Sequence, residues 1–184
     1  MCSRGFNSLR SLKVTAPPLF LKMSYYIIIR GPLGVGKSTV AKKLAKQLNA
    51  EYISIDELLK NQKLDVIEGE CIPLKNFIKV IDTVLPEVKK HLKNKIVVFD
   101  GNFYHKEQID YLVRHLDTPN YAFTLTAPIH VCLERDTARE KTLGEEAAKA
   151  VHNLVMRVDY GTQIKTEGKT ADDVVKEILF NLPK

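Results

Sequence analysis

The chain has 184 residues, of which 45% are hydrophobic and 27% are charged, and this composition is typical of a soluble domain with a core of its own. No apolar run approaches the roughly 20 residues that a membrane span needs, which argues against a membrane protein. The three cysteines form no C-x-x-C pair. The sequence therefore indicates neither a zinc site nor a disulfide framework, and it favours a cytoplasmic setting.

The formal net charge of +6 is unevenly distributed along the chain. Residues 1–24 contain four basic and no acidic side chains, which accounts for +4 and leaves +2 for the remainder. A charge of +2 on the main body does not indicate a polyanionic partner. Binding to nucleic acid stays possible without being indicated.

Residues 1–22 are rich in serine, leucine and basic residues and contain no acids. Three interpretations stay open for them: a disordered arm, a targeting segment for an organelle, or a start codon assigned too early, with translation beginning at Met23. We expect one folded domain over residues 23–184. The sequence makes no prediction of the oligomeric state.

A glycine-rich loop dominates the chemistry of the sequence. Residues 31–39 read GPLGVGKST and match the Walker A pattern G-x-x-x-x-G-K-[ST]. The apolar run 25–30 before the loop predicts a buried strand, and the residues after it have helical spacing. In that context, backbone N–H groups and the positive end of the helix dipole can surround a phosphate. The alternative is a turn that starts a helix and binds nothing.

This motif predicts a set of nucleotide-binding residues. We expect Lys37 to reach the β- and γ-phosphates of a nucleotide and Ser38 to ligate Mg²⁺. The complete predicted set is Gly31, Gly34, Val35, Gly36, Lys37, Ser38 and Thr39.

The rest of the chain alternates predicted strands and helices. Further strands are expected at residues 51–55, 96–100, 121–126 and 163–166, and residues 60–72 read as irregular. Helices are expected from Pro73, after Gly101-Asn102, around Val131, from Gly144, and from Thr170, which can form a capping pair with Asp173. Pro86 should kink or divide its helix. This alternation predicts an α/β fold: a five-stranded parallel sheet with helices on both faces.

Ligands of an open parallel sheet lie beyond the carboxyl ends of its strands. Asp56 follows the second predicted strand and is the candidate for a catalytic base that also contacts substrate. Asp100 ends the third strand and is the candidate for an acid near Mg²⁺ or for a substrate contact, with Asn102 as a weaker substrate contact. Each has a structural alternative: Asp56 can cap a helix that begins at Leu58, and Asp100-Gly101 and Asn102 can belong to a turn.

Two arginines can supply positive charge to a migrating phosphoryl group. Arg135 and Arg139 are spaced i to i+4 on one predicted face, and both are catalytic candidates. The alternative for Arg135 is a surface ion pair with Glu134 or Asp136.

Several classes of phosphate-loop protein lack support. Gly101 stands where motor and helicase ATPases usually carry a second acid, and neither D-x-x-G nor N-K-x-D occurs where a GTPase would have them. Elimination leaves a small kinase that transfers the γ-phosphate to a bound acceptor.

Four segments together resemble the small P-loop kinases: GPLGVGKST at 31–39, SIDELL at 54–59, VVFDGN at 97–102 and LERDTARE at 133–140. The resemblance is greatest to the polynucleotide kinase, zeta-toxin and chloramphenicol phosphotransferase group, with adenylate, gluconate and shikimate kinases more distant. It implies a P-loop NTPase fold with a small helical lid at about residues 135–150. It also implies ATP, with GTP possible, and Mg²⁺ near Ser38 and Asp100. The acceptor segment at 60–75 matches no subgroup.

Three functions remain open on the sequence alone. The first is an ATP-dependent phosphotransferase acting on a hydroxyl of a small molecule or nucleotide, with Asp56 as base. The second is the same chemistry on the 5′-hydroxyl of a nucleic acid. The third is a nucleotide-binding switch with no dedicated acceptor.

Overall fold

The computed structural model describes residues 24–138 and 144–183. In these residues, five parallel strands alternate with helices, which confirms the predicted α/β sheet. The strands are β1 Tyr26–Arg30, β2 Glu51–Ser54, β3 Val97–Gly101, β4 Asn120–Thr126 and β5 Thr162–Lys165. The helices are α1 Lys37–Leu48, α2 Ile55–Asn61, α3 Leu74–His91, α4 Lys106–Leu116, α5 Ile129–Thr137, α6 Glu145–Met156 and α7 Ala171–Phe180.

The spatial order of the strands is β2-β3-β1-β4-β5, so β1 lies at the centre of the sheet. All five residues of β1 are fully or almost fully buried, as expected for a continuous apolar run covered on both faces. Arg30 at the end of β1 pairs with Gly101 of β3 and Thr124 of β4. The phosphate loop therefore leaves the sheet between two strands that also end at the same edge.

Alternating residues of β1 belong to two different cores. Tyr26 and Ile28 pack on the face covered by α2, α3 and α4, and the end of α6 contributes Val155 there. Ile27 and Ile29 pack on the face covered by α1 and α7. This alternation follows from the period of two along a strand. Among the described helices, none combines the length and apolarity that a membrane crossing requires.

Arg30 is the one charged residue of β1, and it is completely buried. Its guanidinium donates to the carbonyls of Val155, at 2.9 Å, and Val158, at 2.7 Å, and to Thr124 Oγ1 at 3.0 Å. Burial lowers the pKa of Arg30 to about 10. The side chain thus binds one carbonyl in the last turn of α6 and one just beyond that helix. No motif in the sequence marked Arg30 for this role.

Several element predictions need correction. Helix α2 begins at Ile55, directly after β2, and Ser54 caps it by accepting from the Glu57 N–H; the predicted start at Leu58 is wrong. Gly101 is the last residue of β3 and not part of a turn. Pro86 lies inside α3, and it does not divide the helix. The predicted capping of α7 by Thr170 and Asp173 is confirmed, because both reciprocal hydrogen bonds are present.

Candidate functional site

The phosphate loop has the backbone conformation that its glycines predict. Gly34 and Gly36 have φ angles of +75° and +96°, in the region that other residues rarely adopt. A Cβ on Gly34 would lie 2.0 Å from the carbonyl oxygen of Cys132 in α5. Gly36 immediately precedes α1. The loop is therefore held closely against α5 and leads into a helix N-terminus, where backbone N–H groups are free to bind an anion.

Lys37 is the first residue of α1 and is only 7% exposed. Its Nζ lies 3.7 Å from Asp56 Oδ2. Burial of an ammonium group is costly unless it is paired. The structure thus brings the Walker A lysine and the predicted base into contact.

Asp56 lies in the first turn of α2, two residues after the Ser54 cap. Its Oδ1 accepts from the backbone N–H of Asn102 at 3.3 Å. Burial raises the pKa of Asp56, Lys37 opposes this effect, and the nearby Asp100 carboxylate adds to it. Since Ser54 is the cap, the alternative in which Asp56 caps a helix is wrong. Its carboxylate instead connects the phosphate loop with the end of β3.

Asp100 is 1% exposed and lies within β3. Its Oδ2 accepts from the Tyr52 hydroxyl at 2.8 Å, and its Oδ1 is buried with no hydrogen-bond partner among the described residues. An unpartnered carboxylate oxygen is a hard ligand of the kind that Mg²⁺ prefers. The Asp100 side chain points to the same face of the sheet as Val98, which lies two residues earlier on β3 and packs with α1. Ser38, in the first turn of α1, is on that side of the sheet. These residues fit the predicted metal.

A cavity of about 250 Å³ adjoins the phosphate loop on the side of α7. Arg135 of α5 donates to the Val35 carbonyl at 3.3 Å and to Thr166 Oγ1 at 3.0 Å, and the Thr166 hydroxyl donates to the same carbonyl at 3.2 Å. Through these bonds the Arg135 guanidinium contacts the phosphate loop and the residue just after β5. The cavity is lined by Val35, Gly36, Thr39, Val40, Arg135, Thr166, Lys169, Ala171 and Val174.

The segment after β3 carries polar groups that lack partners. Asn102 Oδ1 and both polar atoms of the Gln108 side chain are buried without hydrogen bonds to described residues. Between them, Phe103 has a φ of +45°, which is unusual for a bulky residue. Strain of this kind often occurs at functional sites. Since the Asn102 N–H donates to Asp56 Oδ1, this segment begins directly beside the predicted base.

The structure brings most of the predicted site together and adds residues to it. The phosphate loop, Lys37, Asp56 and Asn102 are connected by contacts, and Asp100 is close enough to perturb Asp56. Arg139 lies outside the described residues, and so does part of the predicted lid, so both stay predictions. Tyr52 and Thr166 were not predicted from the sequence, since neither belongs to a motif.

Comparison with known proteins identifies the family. A family model described as an AAA domain (AAA_33) matches residues 27–158. A protein of Pyrococcus abyssi named "Putative adenylate kinase" is 31% identical over 160 residues, which cover 83% of this chain and 81% of that protein. The shikimate kinase of Francisella tularensis subsp. novicida is 28% identical over 83% of this chain and 91% of its own.

A solved structure supports the same fold. The tunicamycin resistance protein of Deinococcus radiodurans superimposes with a TM-score of 0.63, covering 87% of this chain and 97% of that one at 21% identity. The matched family region contains the phosphate loop, Asp56, Asp100 and Arg135. The chain belongs to the AAA_33 family and is a P-loop kinase.

Proposed function

We propose that this kinase transfers the γ-phosphate of ATP to a hydroxyl of a small molecule or nucleotide, in the cytoplasm and with Mg²⁺. The observation that carries the proposal is the 3.7 Å contact between Lys37 and Asp56. Asp56 contacts the lysine of the phosphate loop through Oδ2 and the Asn102 N–H through Oδ1, and burial raises its pKa. A nucleotide-binding switch that has no acceptor needs no catalytic base at that point.

Each residue has a separate task in the reaction. Asp56 accepts the proton of the acceptor hydroxyl, and the hydroxyl oxygen bonds to the γ-phosphorus while the bond to the departing ADP oxygen breaks. Lys37 and the N–H groups of the loop stabilise the charge that develops on the phosphoryl oxygens. Ser38 and Asp100 would hold Mg²⁺, which neutralises phosphate charge when bound. Arg139 remains a candidate for additional positive charge.

Arg135 has a different environment from the one expected for a charge that closes over the γ-phosphate. Its guanidinium is held between the loop carbonyl of Val35 and Thr166, beside the cavity. We propose that this cavity receives the nucleotide base, with ATP preferred and GTP possible, and that Arg135 also adds positive charge beside the phosphates.

The names of the relatives support a small acceptor. One relative is named as an adenylate kinase and another as a shikimate kinase, whose acceptors are a nucleotide and a small hydroxyl compound. The two carboxylates Asp56 and Asp100 make the region near the acceptor negative, which disfavours a polyanion. A nucleic-acid 5′-hydroxyl kinase is therefore the second candidate.

The test is a screen for acceptors that stimulate release of ADP from ATP. Nucleosides, nucleoside monophosphates, sugars, shikimate and oligonucleotides are compared at low and high salt. We expect one small compound to stimulate turnover with little salt dependence, and the Lys37→Ala variant to lose at least about 100-fold in turnover. Lys46→Ala changes an exposed lysine of the same helix and serves as the control.

Two results would count against the proposal. Stimulation by oligonucleotides alone, falling steeply with salt, would favour the polymer substrate. If Lys37→Ala retained the wild-type turnover, the phosphate loop would not be the site of the reaction.

A further inference from the structure

The two oxygens of Asp100 are in different situations. Oδ2 accepts a hydrogen bond from Tyr52 at 2.8 Å, whereas Oδ1 is buried and has no partner within residues 24–138 and 144–183. A carboxylate without the Tyr52 bond could rotate and exchange its two oxygens. The hydroxyl of Tyr52 therefore distinguishes the oxygens and leaves a defined one for another ligand.

Tyr52 lies close to the start of α2. Ser54, two residues after Tyr52, ends β2 and caps the helix, since its Oγ accepts from the Glu57 N–H at 3.2 Å. The strand that carries Tyr52 therefore leads directly into the helix that carries Asp56.

The Tyr52 hydroxyl stays a donor in this environment. It donates to Asp100 Oδ2 at 2.8 Å, and a carboxylate can only accept in such a bond. The ring is fixed as well, because Lys42 Nζ lies 5.3 Å from its centroid. Lys42 Nζ also lies 3.6 Å from Oε1 of Glu57, a residue in the first turn of α2.

The register of the sheet explains why this contact forms. Ser54 pairs with Asp100 across β2 and β3, and Tyr52 pairs with Val98 on the same face. Residues two apart on a strand point the same way. The long Tyr52 side chain can therefore extend along its own strand to reach the carboxylate.

We propose that Tyr52 is a positioning residue for the metal-binding acid: it orients Asp100 so that Oδ1 faces Mg²⁺, and it couples that orientation to the helix that carries Asp56. This inference rests on the proposed function. Lys42 supplies this link, since its Nζ contacts both the Tyr52 ring and the Glu57 carboxylate in the first turn of α2. Residues that orient metal ligands commonly affect metal affinity about 10- to 100-fold when changed.

The test measures metal affinity without relying on turnover. A fluorescent ATP analogue is bound to the protein, and Mg²⁺ is titrated to find the concentration that gives half of its effect on nucleotide affinity. Tyr52→Phe retains the ring under Lys42 but removes the hydroxyl. We expect its Mg²⁺ midpoint to rise about tenfold, with nucleotide affinity in EDTA unchanged.

Two reference variants make the result interpretable. Tyr121→Phe removes a hydroxyl from β4, where the ring packs edge-on against Tyr25, and it should keep the wild-type midpoint. Asp100→Asn should lose most of the Mg²⁺ effect, because it removes the charge of the proposed ligand.

The outcomes separate the inference from the proposed function. If the wild-type protein responds to Mg²⁺ and Tyr52→Phe has the same midpoint, the positioning role is wrong and the kinase proposal is unaffected. If Tyr52→Phe weakens nucleotide binding equally with Mg²⁺ and with EDTA, Tyr52 has only a structural role, which also overturns the inference. A wild-type protein whose nucleotide binding ignores Mg²⁺ would contradict the metal assignment of Ser38 and Asp100.

Discussion

Replacing Asp56 by Asn should separate catalysis from nucleotide binding. The substitution preserves the side-chain oxygen that accepts from Asn102 N–H and removes the charge 3.7 Å from Lys37. The proton acceptor is lost while the phosphate loop stays intact. General bases contribute about 10²- to 10⁴-fold, so kcat should fall by that factor, equivalent to about 3–5 kcal/mol in the barrier. Affinity for ATP should change by less than about tenfold, or 1.4 kcal/mol.

The same variant should not lose stability. Burial and Asp100 raise the pKa of Asp56 in the folded protein. An acid whose pKa is raised in the folded state destabilises the fold when it is ionised. This loss of stability is complete at a pH above the pKa of the folded state. It is absent at a pH below the pKa of the unfolded state, about 3.9. Asp56→Asn should therefore melt at the wild-type temperature or higher at pH 7. The difference should shrink as the pH approaches 4.

The assay combines three measurements on the variant and on a control. Turnover with the identified acceptor, ATP affinity by fluorescence, and thermal unfolding at several pH values are compared with the wild type. Asp82→Asn, on the exposed surface of α3, is the matched control and should leave turnover unchanged. Equal losses of turnover, nucleotide binding and stability in Asp56→Asn would contradict the role of Asp56 as catalytic base and indicate a structural residue.

Two further substitutions test the geometry around the phosphate loop. Gly34→Ala should lower the free energy of unfolding by about 2–5 kcal/mol, from backbone strain and the clash with Cys132. Gly168→Ala, at φ +69° in open space, should cost only about 1–2 kcal/mol in denaturant titrations, and equal losses would contradict the clash. Thr166→Val should weaken ATP binding about tenfold in fluorescence titrations, because it leaves the Val35 carbonyl with one donor fewer. Thr162→Val on β5 is the control. Equal ATP affinities of the two variants would exclude Thr166 from the site.

The fold was predictable wherever local pattern and burial agree. The apolar run before the phosphate loop gave a buried strand, and the glycine, lysine and serine of the motif began a helix. Alternating strands and helices then restrict the topology to a parallel sheet with helices on both faces. The Thr170 capping pair was also recognisable, because its two partners are three residues apart.

The boundaries were less predictable, because tertiary contacts decide them. Ser54 ends β2 and caps α2 at once, so the helix begins three residues earlier than the sequence indicated. Pro86 removes one hydrogen bond from α3, yet apolar contacts of Leu85 and Val88 keep both halves in the same core. Packing of an amphipathic face can outweigh the local cost of proline.

The residues of the site also divide into those that were predictable from the sequence and those that were not. Lys37, Asp56 and Asp100 were identified because a motif or a strand end marks them. Tyr52 and Thr166 were not, because each acts through a partner that is distant in sequence: 48 residues separate Tyr52 from Asp100, and 131 separate Thr166 from Val35. The register and the order of the strands bring such pairs together, and neither can be predicted from a single sequence.

A kinase with a dedicated acceptor passes the γ-phosphate to that acceptor and not to water, and we claim this of the present protein. The most direct measurement follows ³²P from γ-labelled ATP and determines how much label appears in an acceptor ester and how much in inorganic phosphate. With the acceptor found by screening, we predict that most of the label enters the ester and that Asp56→Asn abolishes this product while ATP still binds. Label found only in inorganic phosphate, with every acceptor and with cell extract, would contradict the claim and indicate a nucleotide-dependent switch.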